Sequence, residues 1–213
     1  MADSDEHRRK HGDPAYMPVS LTAASIDFPV TDERRANMLE ATMSALMRDG
    51  VSQVTMGSIA QEAGVSRVTL YRAFKNRAFL LESAVAYRLM KFNSIFFGNI
   101  IAPASLSFLI EDYIVASINT AVQNQESHRW TRGGMSFLRA GSQVHIVAVT
   151  TWTPVVEAYR QTGRYPDHIP VDDLASWIML LQYSFARLTV EAEMKESKIR
   201  ERVRLFVAPA FSQ

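Results

Sequence analysis

The tightest constraint on how this chain can fold lies between Thr55 and Phe74, where the residue pattern demands two short helices crossing at a sharp turn. Ala60 is small where the helices must approach closely, and Gly64, four residues later, can take the positive φ that such a turn requires. Thr55 and Ser66 precede the two segments, where a short hydroxyl side chain can accept from the first free amides of a helix. Ile59, Val65, Leu70 and Phe74 supply an inward face. That leaves Arg67, Val68, Thr69, Tyr71 and Arg72 toward the other side of the second helix, near its start, which is where a helix-turn-helix enters a major groove. Arg67 and Arg72 can donate to guanine edges or phosphates, Thr69 and Tyr71 can hydrogen-bond to phosphate or bases, and the Val68 methyls can meet a thymine methyl. A plain helix hairpin would also explain the turn. Thr55 and Ser66 cap on either reading, and Tyr71 also fits as a core aromatic.

The rest of the chain reads as all-α. Up to about residue 30 it is polar, punctuated by Pro14, Pro18 and Pro29, and reads as a flexible arm, with Arg8, Arg9 and Lys10 either solvated or following a groove. Residues 31–77 form the expected helix-turn-helix domain. Thr31 can cap a first helix, Asp32 and Glu33 suit its positive start, and Met38, Leu39, Thr42, Ala45 and Leu46 recur at helical spacing until Gly50. Asn76 can cap a fourth helix that opens a regulatory domain over residues 78–213. Further helices are predicted near 104–124, 128–140, 143–162, 172–194 and 196–208. The β-branched run Val144–Thr153 competes as a strand, but Pro154–Tyr159 returns to helical spacing, which predicts one helix.

The stretch from Arg34 to Leu89 resembles the DNA-binding domain of TetR-type transcriptional regulators, on Ile59–Ser66, Thr69–Arg77 and the pair Leu80 and Leu81 taken together. The resemblance implies an all-helical homodimer with three N-terminal helices on double-stranded DNA and a C-terminal domain for ligand and dimerisation. It further implies a phosphate contact at Thr55, backbone or base contacts at Thr69 and Tyr71, variable readout at Arg67, Val68 and Arg72, and a phosphate donor at Arg77, where the family often keeps a lysine. Two positions depart from the pattern. Gly57 stands where a longer residue is common, at a helix cost of ~1 kcal/mol relative to alanine, and Ala73 replaces a His or Tyr that often precedes the phenylalanine.

In the second half, the 172–194 segment is apolar around most of its circumference, which requires burial on more than one side. With Val203 and Phe206 of the last helix, its Leu181, Phe185 and Leu188 are the candidate dimer interface; packing within one chain is the alternative. Trp130, Phe137, Trp152, Trp177 and Tyr183, with His145 and Gln182 to orient a polar group, can line a cavity for a small, largely apolar effector, or can equally be core.

Charge and composition exclude several other classes. The 23 basic and 22 acidic residues leave a net charge of +1, so any nucleic-acid surface must be local. Without cysteine there is no disulfide framework or thiolate site, which fits a reducing cytoplasm. His7, His11, His128, His145 and His168 lack metal-binding spacing, and no cofactor is implied. Ser142 with His145, or Asp167 with His168, lacks the surrounding motif that a hydrolase needs, so no enzyme is expected. The first residues carry no apolar signal segment, and the uncharged stretch Phe92–Ile110 is interrupted by Gly98 and Pro103, which predicts a helix end and a new start rather than a membrane span. The reading that follows is a repressor released from a near-palindromic operator by its effector. An effector-independent nucleoid or protein-contact protein, and an apolar-ligand carrier with a degenerate DNA domain, remain open alternatives.

Overall fold

The computed structural model describes residues 32–98, 105–122 and 134–211, and among these the regular elements are eight α-helices and two short 3-10 turns. Helix α1 (Glu33–Asp49) is capped by Asp32, whose carboxylate accepts from the Arg34 amide at 2.9 Å. The cap therefore falls at Asp32, while Thr31 lies outside the described residues. The helix stops at Gly50, which takes φ 81°. Helices α2 (Met56–Glu62), α3 (Arg67–Phe74) and α4 (Arg77–Gly98) follow. Asn76 Oδ1 accepts from the Phe79 amide at 2.9 Å and so caps α4, as its residue type suggests.

Helices α5 (Leu106–Val122), α6 (Gln143–Gln161), α7 (Val171–Glu191) and α8 (Glu196–Phe206) complete the set. The β-branched run lies wholly within α6, where Val144, Val147, Ala148 and Thr151 of the run, followed by Val155, are buried at helical spacing. Pro154 sits inside this helix; the carbonyl it leaves without a donor belongs to Thr150, which is exposed to water. Of the expected helix at 128–140 only Gly134–Leu138 is described, as a 3-10 turn. Helix α7 ends at Glu191, three residues before its predicted boundary, because Glu193 turns to φ 50° and the Met194 amide folds back on Leu188 O. Helix α8 ends at Phe206, short of its predicted boundary, and the chain passes into the 3-10 turn Ala208–Phe211, where Pro209 brings no amide to extend an α-helix. Between Phe92 and Ile110, α4 ends and α5 begins, and among the described residues no helix is long and apolar enough to cross a membrane.

The buried apolar residues form one connected core from Met38 in α1 to Val207 after α8. Helix α4 carries it from one half to the other, packing on both α1 and α6. Phe97, Tyr113 and Trp152 meet edge-on and stacked, with Tyr113 and Trp152 ring centroids 5.0 Å apart. Tyr113 donates to Asn93 Oδ1 at 2.7 Å, and Asn93 Nδ2 donates to Thr151 Oγ1 at 2.8 Å, so the polar groups of this core are satisfied across α5, α4 and α6. Burial pushes the Tyr113 phenol well above its ordinary range, and it stays neutral.

Helix α8 is held to α5 by charge. The buried Glu111 accepts from Arg204 Nε at 2.7 Å, from Arg204 Nη2 at 2.9 Å and from Arg200 Nη1 at 3.0 Å. Arg200 also reaches Asp112 at 2.9 Å and Glu196 at 2.8 Å. A buried carboxylate without its partners is costly, while both arginines can return partly to water. Glu111→Ala is therefore expected to lower the urea unfolding free energy by about 2 kcal/mol, and a change below the error of the unfolding curve would show that the clamp contributes no stability.

Candidate nucleic-acid interface and cavity

The helix-turn-helix is built by local hydrogen bonds. Thr55 Oγ1 accepts from the Ser58 amide at 3.1 Å while the Thr55 amide donates to Ser58 Oγ at 3.1 Å, a reciprocal capping box that starts α2. The helix closes at Gly64, φ 63°, with the Val65 amide reaching back to Ala60 O at 3.0 Å and the Gly64 amide to Gln61 O at 3.2 Å. These are the two bonds of a Schellman ending, which a glycine in the left-handed region makes cheaply. Ser66 Oγ then accepts from the Thr69 amide at 3.1 Å and starts α3.

Helix α3 turns Leu70 and Phe74 into the core and leaves the expected contact residues outside. Val68 is 60% exposed and Tyr71 50% exposed, which sets aside the core reading of Tyr71. Arg67 and Arg72 are exposed, and Thr69 is half-buried with its hydroxyl 2.9 Å from that of Ser66. Arg67 is not extended into solvent: its guanidinium lies over Gly57, where an added Cβ would stand 2.5 Å from Nη2 and 2.9 Å from Cζ. The missing side chain at Gly57 thus makes the seat for Arg67.

Arg77 has a structural role that its place in the motif did not suggest. Its Nε donates to Val54 O at 2.6 Å and its Nη2 donates to Val51 O, so the half-buried guanidinium ties the start of α4 to the turn before α2. Two of its donor atoms, Nε and Nη2, therefore point into the protein.

A cavity of about 710 Å³ lies between α1, α4, α5, α6, α7 and the Gly134–Leu138 turn. Phe137, Gln182 and Tyr183 from the expected set line it, together with Phe92, Phe96 and Met179. The other candidates go elsewhere. Trp152 is enclosed in the aromatic core; Trp177 lines a groove between α7 and α8; Trp130 lies outside the described residues. His145 is buried at the start of α6, where its Nδ1 accepts from the Gly141 amide at 3.2 Å and its Nε2 faces Ser176 Oγ at 3.1 Å and Asp172 Oδ2 at 3.5 Å. Ser142 caps α6, accepting from the His145 amide and donating to Phe137 O at 2.7 Å, so its hydroxyl is engaged in structure.

Sequence periodicity missed the charged end of the cavity. Among the described lining residues the charged ones are Glu40 from α1 and Arg88 and Lys91 from α4. Lys91 Nζ meets Glu40 Oε1 at 2.6 Å. Arg88 Nη1 points to Met47 Sδ at 3.1 Å, and burial pulls its guanidinium below the ordinary value while the Glu40 charge opposes that shift. The available signal was a pair of cations three residues apart in a segment otherwise rich in Leu, Met and Phe.

The outer face of α7 and α8 differs in detail from the expected interface. Val203 is 1% exposed and Phe185 is also buried, and both form the floor of the groove between α7 and α8 that Leu181 and Phe206 also line. Leu181 is half-buried, Leu188 is exposed, and Leu205 and Phe206 are 59% and 74% exposed. Leu205 was not foreseen, because one short helix can turn only part of its apolar set inward.

Comparison with known proteins places this geometry. Residues 38–84 match the family described as bacterial regulatory proteins, tetR family. The chain is similar to the HTH-type transcriptional repressor KstR of Mycobacterium tuberculosis (strain ATCC 25618 / H37Rv), 31% identical over 110 residues, and so spans 51% of this chain and 50% of that relative. It is also similar to KstR of Rhodococcus jostii (strain RHA1), 37% identical over 62 residues, 29% of each chain. Among solved structures, a tetR family transcription regulator from Shewanella sp. PV-4 aligns with a TM-score of 0.64 at 16% identity, covering 85% of this chain and 100% of the other. FadR from Bacillus subtilis, solved in complex with stearoyl-CoA, aligns with a TM-score of 0.59 at 14% identity, covering 83% and 99%. At these identities the structural likeness establishes the fold.

Two substitutions separate the roles of the turn. Gly57→Ala is expected to keep the fold, gain up to ~1 kcal/mol of helix stability and alter base preference by unseating Arg67; an unchanged preference in binding-site selection would show that the seat is immaterial. Arg77→Ala is expected to cost about 1–3 kcal/mol of stability by stripping donors from two carbonyls, and a wild-type unfolding midpoint would return Arg77 to a purely DNA-facing role.

Proposed function

We propose that this chain, whose residues 38–84 match the tetR family of bacterial regulatory proteins, is a homodimeric repressor of that family that leaves a near-palindromic operator when a largely apolar effector fills its cavity. The observation that carries the reading is the sharing of α4: its start packs beneath the helix-turn-helix and its later turns wall the cavity. Arg67, Val68, Thr69, Tyr71 and Arg72 enter the major groove, with Thr55 and Ser66 near phosphates at the helix starts. Arg77 acts by holding the turn.

Dimerisation through α7 and α8 is supported by the exposed apolar side chains Leu180, Leu188, Leu205 and Phe206 beside Leu181 and Trp177, since a surface of this kind is stabilised by a symmetric partner. Two recognition helices on one DNA face must sit about 34–36 Å apart, one helical turn. The effector favours a dimer in which that spacing is wrong, and it acts only to the extent that it binds this arrangement more tightly. That a protein of the same fold, FadR of Bacillus subtilis, was solved with stearoyl-CoA supports an apolar cavity as the effector site.

Selection of binding sites from random duplexes at roughly 0.15 M salt, where screening weakens non-specific phosphate attraction, is the direct test. A two-fold symmetric motif is the expected result; sequence-independent recovery would overturn the operator reading. Within that motif Arg67→Ala or Arg72→Ala is expected to cost ~1–3 kcal/mol at the contacted base pair and to relax preference there. A charge at Phe206 is expected to halve the sedimentation mass, and an unchanged mass would move the interface away from α8.

A further inference from the structure

The cavity is apolar along most of its wall but carries unbalanced charge at one end. Arg88 and Lys91 stand one helical turn apart on α4 and face a single carboxylate, Glu40 of α1. Glu40 is committed to Lys91 at 2.6 Å, while the hydrogen bond made by Arg88 goes to a thioether, Met47 Sδ, which is a weak acceptor. Two cations with one anion, at the edge of a largely apolar space, make a setting in which a second carboxylate gains charge-assisted hydrogen bonds that the protein itself does not supply. The resident carboxylate also lies on α1, which packs against α2 of the helix-turn-helix.

Taking the cavity as the effector site, we propose that the effector is an amphipathic carboxylate, its apolar chain in the cavity and its head group on Arg88 and Lys91, where it takes the place of Glu40. Arg88 supplies a guanidinium fork for the head group. Lys91 is exchanged between two carboxylates, one from α1 and one from the ligand. When the ligand holds it, the bridge from α1 to α4 is broken and α1 loses a tether to the cavity wall. A neutral ligand of the same length can fill the apolar wall but has nothing with which to displace Glu40.

The chemistry is tested by isothermal titration of the full chain with dodecanoate and hexadecanoate, each against the alcohol of equal length. The expected result is a preference of about tenfold or more for the carboxylates, the size of one charge-assisted hydrogen bond. Arg88→Met is expected to erase the preference, Arg88→Lys to retain most of it, and Glu40→Gln to tighten carboxylate binding roughly threefold, as removal of one exposed ion pair allows, without changing the alcohol. Circular dichroism melting of each variant separates a lost site from a lost fold. Equal binding of acid and alcohol by the wild type, or a preference that survives in a folded Arg88→Met, overturns the head-group assignment and leaves the cavity reading standing. Binding of none of the four ligands overturns both. Release of a selected operator duplex by the carboxylates but not by bound alcohols is the expected functional counterpart; release by both equally would overturn the exchange with Glu40.

Discussion

Helix α4 must satisfy two sets of neighbours with one rigid body. Its N-terminus is pinned to the turn before α2 through Arg77, while Leu80, Leu81 and Ala84 are buried in the same core as α1. Its later residues Leu89, Phe92 and Phe96 wall the cavity, and Asn93 and Phe97 lock into α5 and α6. A helix of 22 residues at about 1.5 Å per residue spans roughly 33 Å, and close-packed side chains at both ends leave little slack. One helix therefore contributes side chains both to the cavity wall and to the packing beneath the helix-turn-helix. The rest of the architecture gives this rod fixed bearings: the aromatic core on one side and the α5–α8 charge clamp behind it.

The polar groups of the interior fall into two kinds, and the difference locates function. Asn93, Thr151, Ser142 and His145 are buried with partners at ordinary hydrogen-bond distances, as burial of polar atoms requires. They hold elements in place. Arg88 is a cation at the cavity wall whose neighbours are a thioether and a carboxylate already bound to another cation. Gln182 stands on the same wall and, like Phe137 and Tyr183, borders the open space.

What could be read from the sequence and what could not divides along physical lines. The two caps, the Gly64 turn and the inward set Ile59, Leu70 and Phe74 were legible because each depends on residues within one helical turn or one tight loop. The choice between Thr31 and Asp32 was not, since adjacent residues of similar capping strength differ only in where the preceding chain arrives. The cavity set was half legible. Phe137, Gln182 and Tyr183 line the cavity, whereas Trp152 and Trp177 are large and apolar in the same way but face the core and an outer groove. Aromatic identity states that a side chain seeks burial, not against which neighbour.

Arg77 and Arg88 make the same point for charge. An arginine in a helix-turn-helix reads as a phosphate donor and one on a long helix reads as solvated, yet the first reaches carbonyls more than twenty positions away and the second borders a cavity. By itself the sequence determined the all-helical class, the helix-turn-helix and the face it presents, because helical periodicity, capping and the left-handed glycine are local energies. The tertiary structure decided which apolar side chains line a space rather than fill one, which arginines brace and which remain available, and how α1 meets the cavity. Those outcomes depend on contacts between residues distant in the chain, and no local pattern encodes the partner.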